Sequence, residues 1–269
     1  MYTKLISLLI LLITHHVSHA QKGDTLLITA AQINTQVLKE GIHRYLVYFK
    51  MNKDATRTQT QFWTRKIARV EYHGKPCIAI NQSWEDKDSI IHIVKSISDA
   101  KTMQPLFHHT WWKVQRSRTP TKNVTDTTVD FSKGTVEHNG KLLSDSDTLI
   151  QENKIWVGYK SSLNKFHLNW HLDLEIFPLL PYAKGITFII PFYDPGTASA
   201  FQKVAYTVTG SAELVGYENQ KIDCWILVHE EKGNREVFWI SKKTKEVLKL
   251  EQVINESVYR YKIKLGFSI

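Results

Sequence analysis

Between Phe166 and Ile176 polar and apolar residues alternate without a break, and the polar set is His167, Asn169, His171, Asp173 and Glu175. Imidazoles and carboxylates sharing a face are material for a divalent metal site, with His167, His171 and Asp173 as candidate ligands. The same groups could form a general acid–base pair. Read as a strand, the segment puts those five polar residues on one face. Phe166, Leu168, Trp170, Leu172, Leu174 and Ile176 then lie on the other. Read as a helix, it places His167 beside His171, at i and i+4. The pattern favours the strand, and Pro178 and Pro181 end the element either way. The histidine pair lacks the Glu of H-E-x-x-H, so a solvated sheet face or hydrogen-bonded structural histidines outweigh the metal reading. His108-His109 adds one ligand at most, because adjacent strand residues point to opposite faces.

A second patterned segment closes the chain. In Tyr259-Arg260-Tyr261-Lys262-Ile263-Lys264-Leu265 the basic residues Arg260, Lys262 and Lys264 share one strand face. The ordinary reading is a solvated face, or an edge strand guarded by charge. The functional reading is contact with anionic lipid head groups, at about 1 kcal/mol per basic residue near such a surface. Cys77 and Cys224 both sit in strand-like runs. They are read as two buried thiols, with a Cys77–Cys224 disulfide as the alternative if the chain is exported. Neither belongs to a C-x-x-C pair. No G-x-S-x-G, H-E-x-x-H, P-loop or G-x-G-x-x-G occurs, so no catalytic residue and no cofactor is assigned.

The elements that must position these groups are mostly strands. Period-two runs cover Ile42–Lys50, Phe62–His73, Pro76–Trp84, Ser89–Ser98, Leu106–Arg116 and Thr128–Glu137. The last is closed by Asn139-Gly140, a strong hairpin signal. A C-terminal set covers Ala205–Thr209, Ile222–His229, Glu236–Ser241, Glu246–Ile254 and Ser257–Leu265. Its connectors are too short for parallel crossovers, so neighbouring strands run antiparallel. Thr25–Leu38 is a short helix or an irregular lead-in, and Ser144–Glu152 a loop or a short helix.

The chain has 269 residues, with 35 Lys+Arg against 26 Asp+Glu. This balance, with 42% apolar residues, excludes a disordered chain. Lys4 precedes an apolar run to Ile13, and Ser18-His19-Ala20 offers a small-x-small site before Gln21. Those are the parts of a secretory signal peptide over residues 1–20, leaving 21–269 as a single antiparallel β domain, with a subdivision near 140–155 as the alternative. The expected location is the periplasm or outside the cell, with no membrane-spanning segment after cleavage. The positive charge is spread along the chain, so nucleic acid is a poor partner. Eight Trp, eleven Tyr and eleven Phe fill a core or line an apolar pocket.

The ordered series Gly210-Ser211-Ala212-Glu213-Leu214, Ile222-Asp223-Cys224-Trp225, Phe238-Trp239-Ile240-Ser241-Lys242-Lys243-Thr244 and Val247-Leu248-Lys249-Leu250 follows Leu179-Leu180-Pro181 and Gly185. Over roughly residues 165–265 it resembles a family of exported bacterial β-proteins of unknown function. The resemblance implies the half-barrel fold of the lipoprotein carriers of the Lol pathway: a curved antiparallel sheet (half-barrel or open barrel) with a few short helices, mainly β, its concave side apolar. It also implies a short helix where the alternating segment reads as strand, and it names no catalytic residue. The function expected is non-enzymatic binding of an apolar or lipid-like ligand or of a cell-envelope partner. A hydrolase or metal-dependent enzyme using His167, His171 and Asp173 is the first alternative, and a structural envelope adaptor the second.

Overall fold

A computed structural model describes residues 23–115 and 122–266; the leader expected over residues 1–20 lies outside them. Sixteen strands run in the order β1 (Thr25–Leu27), β2 (Gly41–Lys50), β3 (Thr58–Tyr72), β4 (Lys75–Asp86), β5 (Ser89–Asp99), β6 (Pro105–Gln115), β7 (Lys122–Asp130), β8 (Thr135–His138) and β9 (Lys141–Leu142). A helix α1 (Ile150–Ser162), β10 (Leu168–Asn169) and a single-turn helix α2 (Asp173–Ile176) form the middle of the chain. Then come β11 (Thr187–Tyr193), β12 (Gln202–Val215), β13 (Lys221–Glu231), β14 (Asn234–Ser241), β15 (Val247–Ile254) and β16 (Val258–Leu265).

All sixteen belong to one open, curved sheet. Its order is β1-β11-β12-β13-β14-β15-β16-β2-β3-β4-β5-β6-β7-β8-β9, with β10 also on β11. The expected mainly-β, antiparallel architecture is therefore observed. Among the described residues only β1 and β10, both against β11, pair in parallel. The last strand lies beside the second, with Tyr261 opposite Tyr48, and this pairing joins the N- and C-terminal meanders. Hairpin chemistry is local: Asn139 and Gly140 both take positive φ between β8 and β9, as an Asn-Gly turn of the primed type requires. No helix among the described residues is long and apolar enough to cross a membrane.

Three expectations need correction. First, the alternating Phe166–Ile176 segment is not a strand. Only Leu168–Asn169 pairs; a 3-10 turn (Trp170–Leu172), α2 and a second 3-10 turn (Phe177–Leu179) follow. The segment crosses the concave side of the sheet with both of its faces largely covered, so His167, Asn169 and Glu175 are as buried as Leu168, Leu172 and Ile176. Its period of two did not mark a wet face and a dry one. Second, a 13-residue helix, α1, occupies a stretch read as loop or short helix only up to Glu152. Its buried face carries Ile155, Gly158, Tyr159 and Ser162, which share helical spacing but no apolar stripe. Gly158 is needed there: a Cβ would lie 2.4 Å from the Ser199 carbonyl oxygen. Third, the alternative Cys77–Cys224 disulfide is not formed: Cys77 in β4 and Cys224 in β13 are both buried and unpaired, as the reading of two buried thiols has it.

The concave side holds the main core. Phe177 packs against Tyr206 and Phe238, with ring centroids 4.8 and 4.5 Å apart, and Trp170 stacks on Phe192 at 5.4 Å. The expected apolar hollow is thus largely occupied by the protein's own side chains. A smaller cluster of Val129, Val136, Leu143, Ile155, Tyr159 and Tyr193 lies under α1.

Candidate functional site

Strand pleating aims Trp63, Arg65 and Ile67 of β3 inward, and all three are buried. Trp63 pairs with Trp84 of β4 across the ladder, and the indoles stack at 3.7 Å with planes 7° apart. Arg65, 1% exposed, reaches the crossing segment. Its Nε and Nη2 donate to the two carboxylate oxygens of Glu175, each at 2.6 Å, and Nη2 also donates to the His171 carbonyl at 3.1 Å. Burial works against the guanidinium charge. The field and hydrogen bonds of Glu175 outweigh it, so the pKa of Arg65 is raised.

The basic stripe of β16 also turns inward, which corrects its reading as a solvated or head-group-contacting face. β16 is an interior strand between β15 and β2, so it guards no edge. Lys262 and Lys264 are 4% and 3% exposed. Lys262 Nζ donates to Asp173 Oδ2 at 2.7 Å and lies over the Trp63 ring at 4.8 Å. Burial, helped by Arg260 and Arg65 and opposed by Asp173, pulls the Lys262 ammonium down to about 8. Burial pushes the Asp173 carboxyl up, but Lys262 and Arg65 prevail and its pKa is lowered. Lys264 Nζ sits 2.8 Å from His43 Nδ1 and 3.3 Å from Glu246 Oε1.

The histidines define their own proton positions. His92 Nδ1 donates to the Trp111 carbonyl at 2.9 Å, which leaves Nε2 as an acceptor. His171 Nε2, 3.1 Å away, must then be the donor. Its Nδ1 faces Asp194 Oδ1 at 3.7 Å. Asn169 Oδ1 accepts from the His171 N–H, so its Nδ2 donates to His108 Nδ1 at 3.0 Å. His167 lies elsewhere, against Phe131 and Tyr193, and is held by Gln104 and the Lys165 carbonyl. His109, on the opposite face to His108, pairs with Asp126. His167, His171 and Asp173 therefore do not converge. Among the described residues no group of three or more His, Cys, Asp or Glu side chains could hold a metal ion.

Burial holds His92 neutral down to about pH 2 and depresses His108 well below its ordinary value, with the His171 field adding to both. Burial lowers His138 and His167 as well. Below about pH 6.5 the unfolded chain takes up protons that these folded imidazoles refuse. The stability they contribute is present above that pH and is lost as pH falls. His92 and His108 together are expected to remove about 3 kcal/mol between roughly pH 6.5 and 5, measured by urea melts at both. Equal stability at the two pH values would contradict buried neutral histidines.

These side chains wall a pocket of about 260 Å³, lined by Trp63, Arg65, Trp84, Trp170, His171, Asp173, Asp194, Glu236, Arg260 and Lys262. Most of its charges are matched inside the protein. Glu175 takes Arg65, and Asp173 takes Lys262 and the Leu174 N–H. Glu236 accepts from the Tyr206 hydroxyl at 2.9 Å and from Gln252 Nε2 at 2.8 Å. Two groups are left. The Arg260 side chain makes no hydrogen bond or ion pair among the described residues, and its Nε is buried. Burial lowers its pKa, against the fields of Glu236 and Asp173. Asp194 Oδ1 is likewise buried without a hydrogen-bond partner. Neither Arg65 nor Asp194 stood out in the sequence as a site residue. Glu175 belongs to the alternating polar set, but its partner Arg65 lies 110 positions away and nothing local announces it.

The fold and pocket define a curved-sheet β-protein with a small, preformed, charged cavity on its concave side. Residues 44–264 match the family described as "Protein of unknown function (DUF3108)", and the chain belongs to that family. No curated protein matches it. Among solved structures the chain is similar to a protein from Brucella abortus described as a beta-barrel-like protein of domain of unknown function DUF1849. The two share 7% identity and a TM-score of 0.42, over 86% of this chain and 98% of the other.

Proposed function

We propose that this is an exported, non-enzymatic binding protein, and that the concave pocket takes the anionic group of a small or lipid-like ligand at Arg260. The observation that carries this reading is the unmatched guanidinium. A partly buried Arg whose Nε is out of reach of water and has no hydrogen-bonded anion carries a cost unless something supplies one. Guanidinium geometry suits a carboxylate or phosphate, and each charge-assisted hydrogen bond contributes about 1.5–3 kcal/mol. Trp63, Trp84 and Trp170 give the body of the ligand a flat apolar wall. An acyl chain has little room, because Phe177, Phe192, Tyr206 and Phe238 fill the apolar part of the concave side. A lipid-like ligand would therefore enter by its head.

The enzyme reading draws no support from the geometry, since its three residues serve separate contacts: His171 with His92, Asp173 with Lys262, and His167 with Gln104. Native mass spectrometry of protein purified gently from a bacterial periplasm tests the binding reading. One small adduct per chain is expected in the natural sequence and none in Arg260→Met. An adduct kept equally by both, or by neither, contradicts it.

A further inference from the structure

We infer that the occupant of the concave pocket is a zwitterion: a phosphate or carboxylate held at Arg260, joined by a short linker to an ammonium held at Asp194. This rests on the pocket being a ligand site and adds the class of ligand. Arg260, on β16, and Asp194, directly after β11, face one cavity from strands five positions apart in the sheet. Arg260 makes no hydrogen bond or ion pair among the described residues, Asp194 Oδ1 has no hydrogen-bond donor, with the His171 ring 3.7 Å from it, and the two side chains have opposite sign.

Charge balance separates a zwitterion from a simple anion. Arg65 with Glu175 and Lys262 with Asp173 cancel in pairs. Arg260, Glu236 and Asp194 remain. A lone anion would add negative charge to a pocket already carrying two unpaired carboxylates, and it would leave Asp194 Oδ1 without a donor. Hydrogen-bond direction says the same. His171 donates through Nε2 to His92, and its Nδ1 lies 3.7 Å from Asp194 Oδ1, beyond hydrogen-bond reach. Asp194 Oδ1 is therefore left without a hydrogen-bond donor. A primary ammonium has three N–H donors and the matching charge. A volume of about 260 Å³ admits a linker of a few bonds between the two charges and little more.

Titration calorimetry at about pH 7.3, above the ordinary imidazole value near 6.5 and below the value of about 8 at which Lys262 loses its charge, tests this with matched pairs. O-phosphoethanolamine is compared with ethyl phosphate, and β-alanine with propionate. In at least one pair the zwitterion is expected to bind about tenfold more tightly, or about 1.4 kcal/mol. In Asp194→Asn the two members of that pair are expected to bind alike. Equal affinities in the natural sequence overturn the zwitterion and leave the anion pocket standing; no binding in either pair overturns both. If phosphoethanolamine is preferred, co-sedimentation separates the sources. Retention on phosphatidylethanolamine vesicles and not on phosphatidylglycerol vesicles assigns a lipid head group, and retention on neither assigns a free zwitterion.

Discussion

Arg65→Met is expected to lower the unfolding free energy by about 3–5 kcal/mol, because it leaves the Glu175 carboxylate buried without its cation. Both side chains are nearly inaccessible, and two of the three hydrogen bonds made by Arg65 go to Glu175. The third ties β3 to the His171 carbonyl, so the crossing segment loosens as well. For a chain of this size that loss corresponds to a melting point lower by roughly 6–20 °C. The double variant Arg65→Met/Glu175→Leu should recover most of it, since removing both partners of a buried pair is often close to neutral. Urea melts on the four-member cycle measure the coupling. If the double variant is as unstable as the single, the pair is not what secures the crossing segment.

Arg260→Met is expected to do the opposite. Removing a partly buried guanidinium that has no hydrogen-bonded partner should stabilise the unliganded protein, by about 1 kcal/mol. The methionine can lie against the same wall without a charge to hydrate. Two arginines lining one pocket should thus respond with opposite sign to the same substitution, because one is matched and the other is not. A loss of stability in Arg260→Met would mean that the guanidinium is anchored by the fold and is not kept for a ligand.

Why only part of this was legible in the sequence follows from what each signal measures. Strand period and turn residues are local, so β2 to β6 and β12 to β16 could be placed and Asn139-Gly140 marked its hairpin, but the run Thr128–Glu137, read as one strand, spans the turn between β7 and β8. Alternation in β16 was also visible, but it says which residues share a face and not which face is inside. Tyr259, Tyr261 and Ile263 made an apolar set, and the natural inference turned Arg260, Lys262 and Lys264 outward. The structure half-buries the first set, with Tyr261 stacked on Tyr48, and buries Lys262 and Lys264 almost completely. The Phe166–Ile176 segment misled for a related reason: period two separates faces only when one face is wet, and here both are covered. The pocket is a long-range object. It combines β3, β4, β14, β16, the end of β11 and the turn at Trp170 to Asp173, and its informative feature, a cation with no partner, exists only after every other charge has found one.

The central claim, that the concave pocket is kept charged to hold an anionic group, is tested most directly by melting points across a titration with inorganic phosphate. Binding to the folded state alone raises stability by RT ln(1 + [L]/Kd), about 2.7 kcal/mol at a hundredfold excess over Kd. The natural sequence should melt progressively higher as phosphate rises at constant ionic strength, while Arg260→Met should start higher and stay flat. Parallel responses in the two proteins, or none in the natural sequence, would contradict the account.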